Sequence, residues 1–332
     1  MDDGSEVFNP TRYSEKDGHI SALQKLLEIR ATVGESAWAS EYQMNPVQLQ
    51  AAIQITPEVV ASRKSDLKEL EIPDENVQWV CASSDLNLAK YITTTIVVFM
   101  NDQTSVVIYH KFRKCAIPFN IPEQDYYQRV YNLLSQHGQE LKSLGIRIDA
   151  WAIDANGQPY NAVVDFVKRS RAICGIPAAA FIGKASHQYR SFMRTRLKED
   201  VNRTLLCGNE DEHKVAGSGR KYTFFDSDLY HSKVQLGFLQ ALGNVGSISW
   251  YNGIDHSKWA VQVCAEKLIG KKAKGDGTTV YTWKEISPDH DALDSIGQAL
   301  AAYASMGFST AGREQTIRRR TKPTQKRKLR II

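Results

Sequence analysis

Nowhere in the 332 residues is there a run of eighteen apolar side chains, so no segment is expected to cross a bilayer as a helix. The start, Met1-Asp2-Asp3-Gly4-Ser5-Glu6, is acidic and polar, without the basic and apolar stretches of a secretory signal. Cysteine is sparse. Cys81, Cys115, Cys174, Cys207 and Cys264 are odd in number and lack C-x-x-C spacing, which argues for reduced thiols in a cytosol. The same scatter argues against a disulfide framework or a zinc cluster. The eight histidines form neither H-x-H nor H-E-x-x-H, so a metal here is expected to be held by oxygen. The G-x-x-x-x-G-K-[ST] loop that cradles nucleotide phosphates is missing as well, and no ATP site is expected.

What is present is an ordinary globular composition, with 42% hydrophobic and 24% charged residues and length for one large domain or two smaller ones. The net charge of +5 hides an asymmetry. Between 311 and 332 there are nine Lys/Arg against one glutamate, which leaves the rest of the chain at −3. Residues 311–332 thus form a basic tail, expected to be a disordered arm drawn to polyanions. Nucleic acid, a localisation receptor and an acidic partner protein are all open readings of that tail alone.

Along the chain, Ile20, Leu23, Leu26 and Leu27 are spaced for one buried helical stripe, and Pro46 marks a later helix stop. Residues 1–74 are therefore expected to be a helical linker. From Val77 the pattern turns to strands over 77–84, 93–100 and 105–109, the last two forming a hairpin around Asn101-Asp102. A helix is expected over 123–144 with Gly145 as its C-cap, a strand over 146–153, a helix over 161–173 and a strand over 177–182. A strand over 221–225, a helix over 230–242 and a last helix from Ser287-Pro288 to Met306 follow. The order strand, strand, strand, helix, strand, helix, strand is that of a ribonuclease H-like core, an α/β mixed sheet flanked by helices. Its first and fourth strands lie side by side, and 75–310 is expected to be this domain.

That topology gives three acidic stations a meaning. Asp85 closes the first strand, Asp154 closes the fourth, and Asp291 with Asp294 opens the last helix. Acidic residues in a first helical turn also suit the helix dipole and face water, so spacing alone leaves both readings open. Two strand-end carboxylates and a third from a helix start would suit a pair of hard divalent cations, Mg²⁺ or Mn²⁺, acting on phosphate esters. Asp85 would bridge both ions, Asp154 and Asp291 would each bind one, and Asp294 would be a supporting or alternate ligand. Lys184 is a weaker candidate for phosphate contact. Asp226 and Asp228 read as helix caps, and Asp255-His256 as turn chemistry.

Two further segments carry a resemblance. Trp38-Ala-Ser-Glu41-Tyr42-Gln43-Met-Asn45-Pro46-Val47 is similar to the W-x-x-E-Y-Q-x-N-P-V junction that follows the packaging ATPase in large terminase subunits of tailed bacteriophages. Asp289-His-Asp291-Ala-Leu-Asp294 is similar to the D-D-x-x-D-A-L element of their nuclease half, and Ala82-Ser-Ser-Asp85 to its first acidic motif. Over roughly residues 10 to 310 the chain resembles that nuclease half. Asp154 stands where relatives carry Glu, and 190–219 does not align.

The resemblance implies a Mg²⁺- or Mn²⁺-dependent endonuclease that cuts concatemeric double-stranded DNA in the host cytoplasm. It also implies as partners a portal protein, a small terminase subunit and a packaging ATPase domain that this chain lacks, as part of a longer protein or a divided gene. Lys184 and the tail residues Arg318, Arg319, Arg320, Lys326, Arg327 and Lys328 are the candidate DNA contacts. A resolvase- or transposase-like nuclease of the same fold, and a non-catalytic module docking motor to portal, are the alternatives.

Overall fold

The computed structural model describes residues 21, 55–73, 75–157, 159–185, 209–211, 222–273 and 279–306. The junction at 38–47, most of the linker, nearly all of 190–219 and the whole basic tail lie outside the described residues.

Strand β3 (Tyr91–Met100) lies deep inside the molecule. Its run Ile92-Thr-Thr-Thr-Ile-Val-Val-Phe99 is buried at every position, as a strand covered on both faces requires. It pairs antiparallel with β2 (Val77–Asn87) on one side and β4 (Ser105–Lys114) on the other. Parallel to β2 comes β5 (Ala150–Asp154), and parallel to that β6 (Ala178–Lys184). The order β4-β3-β2-β5-β6, with only β3 reversed, is the ribonuclease H-like arrangement expected from the sequence.

Four strands extend this core to nine. Beyond β4 lie β9 (Ile248–Asn252) and β1 (Lys64–Lys68); beyond β6 lie β8 (Tyr222–Asp226) and β7 (Asn209–Asp211). A separate hairpin pairs β10 (Glu266–Ala273) with β11 (Thr279–Glu285). One face of the sheet carries α2 (Glu123–Ser143), α3 (Tyr160–Val167) and α4 (Ser170–Cys174). The other face carries α5 (Ser227–Leu239), α7 (Asp291–Ser305), and the short α1 (Pro57–Ser62) and α6 (Ser257–Val263).

The helix expected over 161–173 is two helices. Ser170 Oγ donates to Val167 O and accepts from Ala178 N at 3.0 Å, so its side chain serves the neighbouring strand and the helical run breaks before it. Gly145 takes the left-handed conformation at φ 75° just past α2, as a C-cap glycine does. The last helix starts later than Ser287-Pro288. Ser287 Oγ accepts from Asp289 N in a tight turn, and the helix begins at Asp291, where Gln262 Oε1 accepts from Ala292 N at 3.2 Å.

Gly237 marks a close approach of α5 to the sheet. A Cβ there would lie 2.5 Å from Ile248 Cγ1 and 3.0 Å from Gly246 O. Alanine gains up to about 1 kcal/mol of helix propensity, but overpacking costs roughly 1–3 kcal/mol. Gly237→Ala is therefore expected to lower the thermal midpoint. A raised midpoint would mean that Ile248 moves aside at no cost.

Candidate active site

Strand periodicity places the first two carboxylates. Along β2, Val80 and Ala82 belong to the core under α2, whereas Cys81 belongs to the core under α7. Alternation gives Ser84 to the α2 side, where Trp151 Nε1 donates to its hydroxyl at 2.9 Å, and Ser83 to the α7 side, where it donates to Ser295 O. Asp85 follows Ser83. Along β5, Trp151 and Ile153 face α2 and Ala152 faces α7, so Asp154 follows Ala152. Parallel pairing of the two strands ends at Ser84 opposite Ile153, which makes Asp85 and Asp154 the next position on each. Strand β2 itself runs two residues past Asp85, closing onto β3 at Asn87 opposite Tyr91.

Helix α7 supplies the other pair. It is buried on nearly every side and is fixed to the sheet by a chain of hydroxyls: Ser295 Oγ lies 2.7 Å from Thr95 Oγ1, which lies 2.5 Å from His110 Nδ1. With that helix locked, Asp291 is only 8% exposed, which removes the reading of it as a solvated helix start. Its carboxyl meets that of Asp85 within hydrogen-bonding reach, and Tyr91 Oη donates to Asp291 Oδ2 at 2.9 Å. Asp85, Asp291, Asp294, His290, Asn156 and the exposed Phe119 line one open cleft of about 410 Å³.

The electrostatics are those of crowded acids. Burial, then the charges of Asp154, Asp294 and Asp291, push the Asp85 carboxyl well above its usual range. Burial raises Asp154 to about 6, although Asn156 donates to it through its backbone N–H and its amide. Asp294 is different. Burial opposes its charge, but hydrogen bonds from His231 and His290 outweigh that and hold its carboxyl below the ordinary value. His231 Nε2 lies 2.8 Å from Asp294 Oδ1, and His290 Nδ1 lies 2.6 Å from Oδ2. Burial disfavours the His231 cation, yet Asp294 and Glu266 raise it to about 10; the Asp294 hydrogen bond raises His290 to about 9.

Asp85, Asp154, Asp291 and Asp294 are thus brought together. Among the described residues, however, no three His, Cys, Asp or Glu side chains take up the mutual spacing of a metal cluster. Asp85 faces Asp291, and Asp294 is turned onto two imidazoles. The donor set still suits a hard divalent cation: it is all oxygen, and among the described residues the charges acting on Asp85 are other carboxylates. Lys184 ends β6 on the same edge of the sheet, opposite Asp226, two strands from Asp85. Asp226 caps α5 by accepting from Leu229 N, and Asp255 accepts from Ser257 N in a turn. Tyr91, His231, Glu266 and His290 were not singled out by sequence reasoning.

Residues 36–316 match a family model described as terminase large subunit gpA, endonuclease domain. No curated protein sequence matches the chain. Among solved structures, the chain is similar to RuvC from Thermus thermophilus, at 12% identity over 31% of this chain and 63% of that one, with a TM-score of 0.22. It is also similar to T. thermophilus RuvC in complex with a Holliday junction substrate, at 12% identity over 34% and 69%, with a TM-score of 0.23. Human ENDOV gives 14% identity over 40% and 58%, with a TM-score of 0.23. The match spans less than two thirds of the first of these proteins.

Proposed function

Because the chain belongs to the family of terminase large subunit gpA endonuclease domains, we propose that it is a divalent-metal-dependent endodeoxyribonuclease cutting concatemeric double-stranded DNA during viral genome packaging. The observation that carries the reading is the approach of Asp85 to Asp291, carboxyls some two hundred residues apart, with the charge of Asp154 acting on Asp85 and that of Asp294 acting on both Asp85 and Asp154. Two like charges that close need a proton or a cation between them.

In this reading Asp85, Asp154 and Asp291 hold two ions, Mg²⁺ or Mn²⁺, with Asp294 as a supporting or alternate ligand. Bound there, such ions supply water activation and charge compensation at the phosphate. Tyr91 keeps Asp291 turned toward Asp85, and His290 presents its ring to the cleft. Lys184 and the tail residues from Arg318 to Lys328 are proposed to contact the DNA backbone, a salt-sensitive interaction. A portal protein, a small terminase subunit and a packaging ATPase domain are the proposed partners, and the host cytoplasm the proposed compartment.

Nicking of supercoiled plasmid tests the reading. The chain is expected to nick in Mn²⁺ or Mg²⁺ and not in chelator. Asp154→Asn is expected to slow this by about 10²–10³-fold, the loss typical of one group that stabilises developing charge. A folded Asp154→Asn variant that nicks at the wild-type rate would sink the assignment.

A further inference from the structure

A tightly specified polar cluster lies behind the cleft rather than in it. His231, one turn into α5, has both ring nitrogens on carboxylates: Nδ1 is 2.9 Å from Glu266 Oε2 and Nε2 is 2.8 Å from Asp294 Oδ1. An imidazole so placed donates at both ends, so its ring plane and tilt are fixed by two partners on different elements. Gly297 on α7 packs beside the ring, where a Cβ would meet His231 Cδ2 at 3.5 Å, an ordinary contact. Trp283 of β11 closes over the ring edge-on at 6.2 Å.

Glu266 is itself held. Gln235, one helical turn after His231 on the same face of α5, donates from Nε2 to Glu266 O at 2.7 Å and to Val263 O at 3.1 Å. Helix α5 therefore grips the first residue of β10 by its backbone through Gln235 and by its carboxylate through His231. The frame ends on Asp294, whose second oxygen takes the His290 ring at 2.6 Å. None of His231, Gln235 or Glu266 lines the cleft, whereas Asp294 and His290 do.

We infer that Glu266 and His231 are positioning residues that set the orientation of the Asp294 carboxylate, and through it of the His290 ring, at the wall of the cleft. The inference rests on the metal-dependent reading of the site and goes beyond it. Partners that orient a site carboxylate from behind typically change metal affinity 10–100-fold when removed, without themselves touching the ion.

Calorimetric titration of the full chain with Mn²⁺, below its melting temperature, reads this directly. His231→Gln is expected to weaken Mn²⁺ binding by about 10–100-fold with an unchanged circular dichroism spectrum. Glu266→Gln keeps the side chain's shape and removes its charge, and is expected to weaken binding less than His231→Gln. A purely structural role would lower the melting temperature and leave the Mn²⁺ affinity within twofold of wild type, and that result overturns the inference alone. No Mn²⁺ uptake by the wild-type chain would overturn both the inference and the reading beneath it. Where His231→Gln does not fold, Glu266→Gln decides by the same criterion.

Discussion

Asp85→Asn is expected to abolish Mn²⁺-dependent nicking and, at the same time, to raise the melting temperature of the metal-free protein. The two effects share a cause. A carboxyl whose folded-state pKa lies above its unfolded value of 3.8 binds more protons when folded, and Asp85 is such a group. Stability then falls as pH rises from the unfolded value through the folded one, and the deficit persists at neutral pH. Asparagine removes the charge and with it the deficit. It also replaces the carboxylate proposed to serve both ions by a neutral amide, so on the metal-dependent reading nicking falls by at least about 10²–10³-fold. The converse appears when Mn²⁺ is added. At a hundred times its dissociation constant the wild-type protein should gain about 2.7 kcal/mol, roughly 5–10 °C for a domain of this size, and the variant far less. Thermal melts of both proteins with and without Mn²⁺ check it. A variant that melts lower in chelator, or gains as much from Mn²⁺ as the wild type does, contradicts the role given to Asp85.

Much of this site was legible because it is written in strand periodicity. Asp85 and Asp154 each end an apolar run, and the order of elements makes those runs neighbours. The period of two then sends both carboxylates to the face where α7 lies. The environment of Asp291 was less legible: its helix reads as amphipathic over Leu293, Ile296, Leu300 and Tyr303, yet it is buried almost all round. The contacts that bury it, Ser83 and Thr95 to Ser295 and Gln262 to Ala292, join residues far apart in sequence. His231 was missed for a related reason. Tyr230, His231, Ser232, Val234, Gln235, Gly237 and Phe238 are all buried, so α5 has no polar stripe against which a misplaced polar residue stands out. Six of the nine strands are legible in the sequence; β1, β7 and β9 are not, because they are short and pairing with a distant strand leaves no local signature. The late start of α7 follows from a tertiary cap, Gln262, where local rules favoured Ser287-Pro288.

Acid should unfold the protein well before its carboxylates alone would dictate, because two imidazoles are buried neutral. Burial, with the charge of His256, lowers His110 to about 3; burial, partly offset by Glu140, lowers His137 to about 4. A histidine with a depressed folded-state pKa takes up its proton only on unfolding, so stability rises with pH between the folded value and the unfolded 6.5. Falling pH reverses this, and by pH 4 each imidazole would have removed roughly 3 kcal/mol. Together that is a large part of the roughly 5–15 kcal/mol of a whole domain. Asp85 and Asp154 work the other way in metal-free wild type, since protonating a raised carboxyl favours the folded state in the same window. His231 and His290, raised to about 10 and 9, are charged in both states well below pH 6.5 and add no slope there; above it the unfolded rings discharge and their contribution declines as pH rises. The Asp85→Asn variant should therefore show the steeper acid limb, beginning near pH 6.5 instead of below it. His137→Gln should flatten that limb while lowering stability at pH 7, because Thr94 Oγ1 loses its 2.7 Å partner. Urea midpoints at pH 7, 5.5 and 4.5 for the three proteins measure all of these slopes. A His137→Gln variant whose midpoints follow pH as the wild type's do would show that this ring takes up no proton on unfolding.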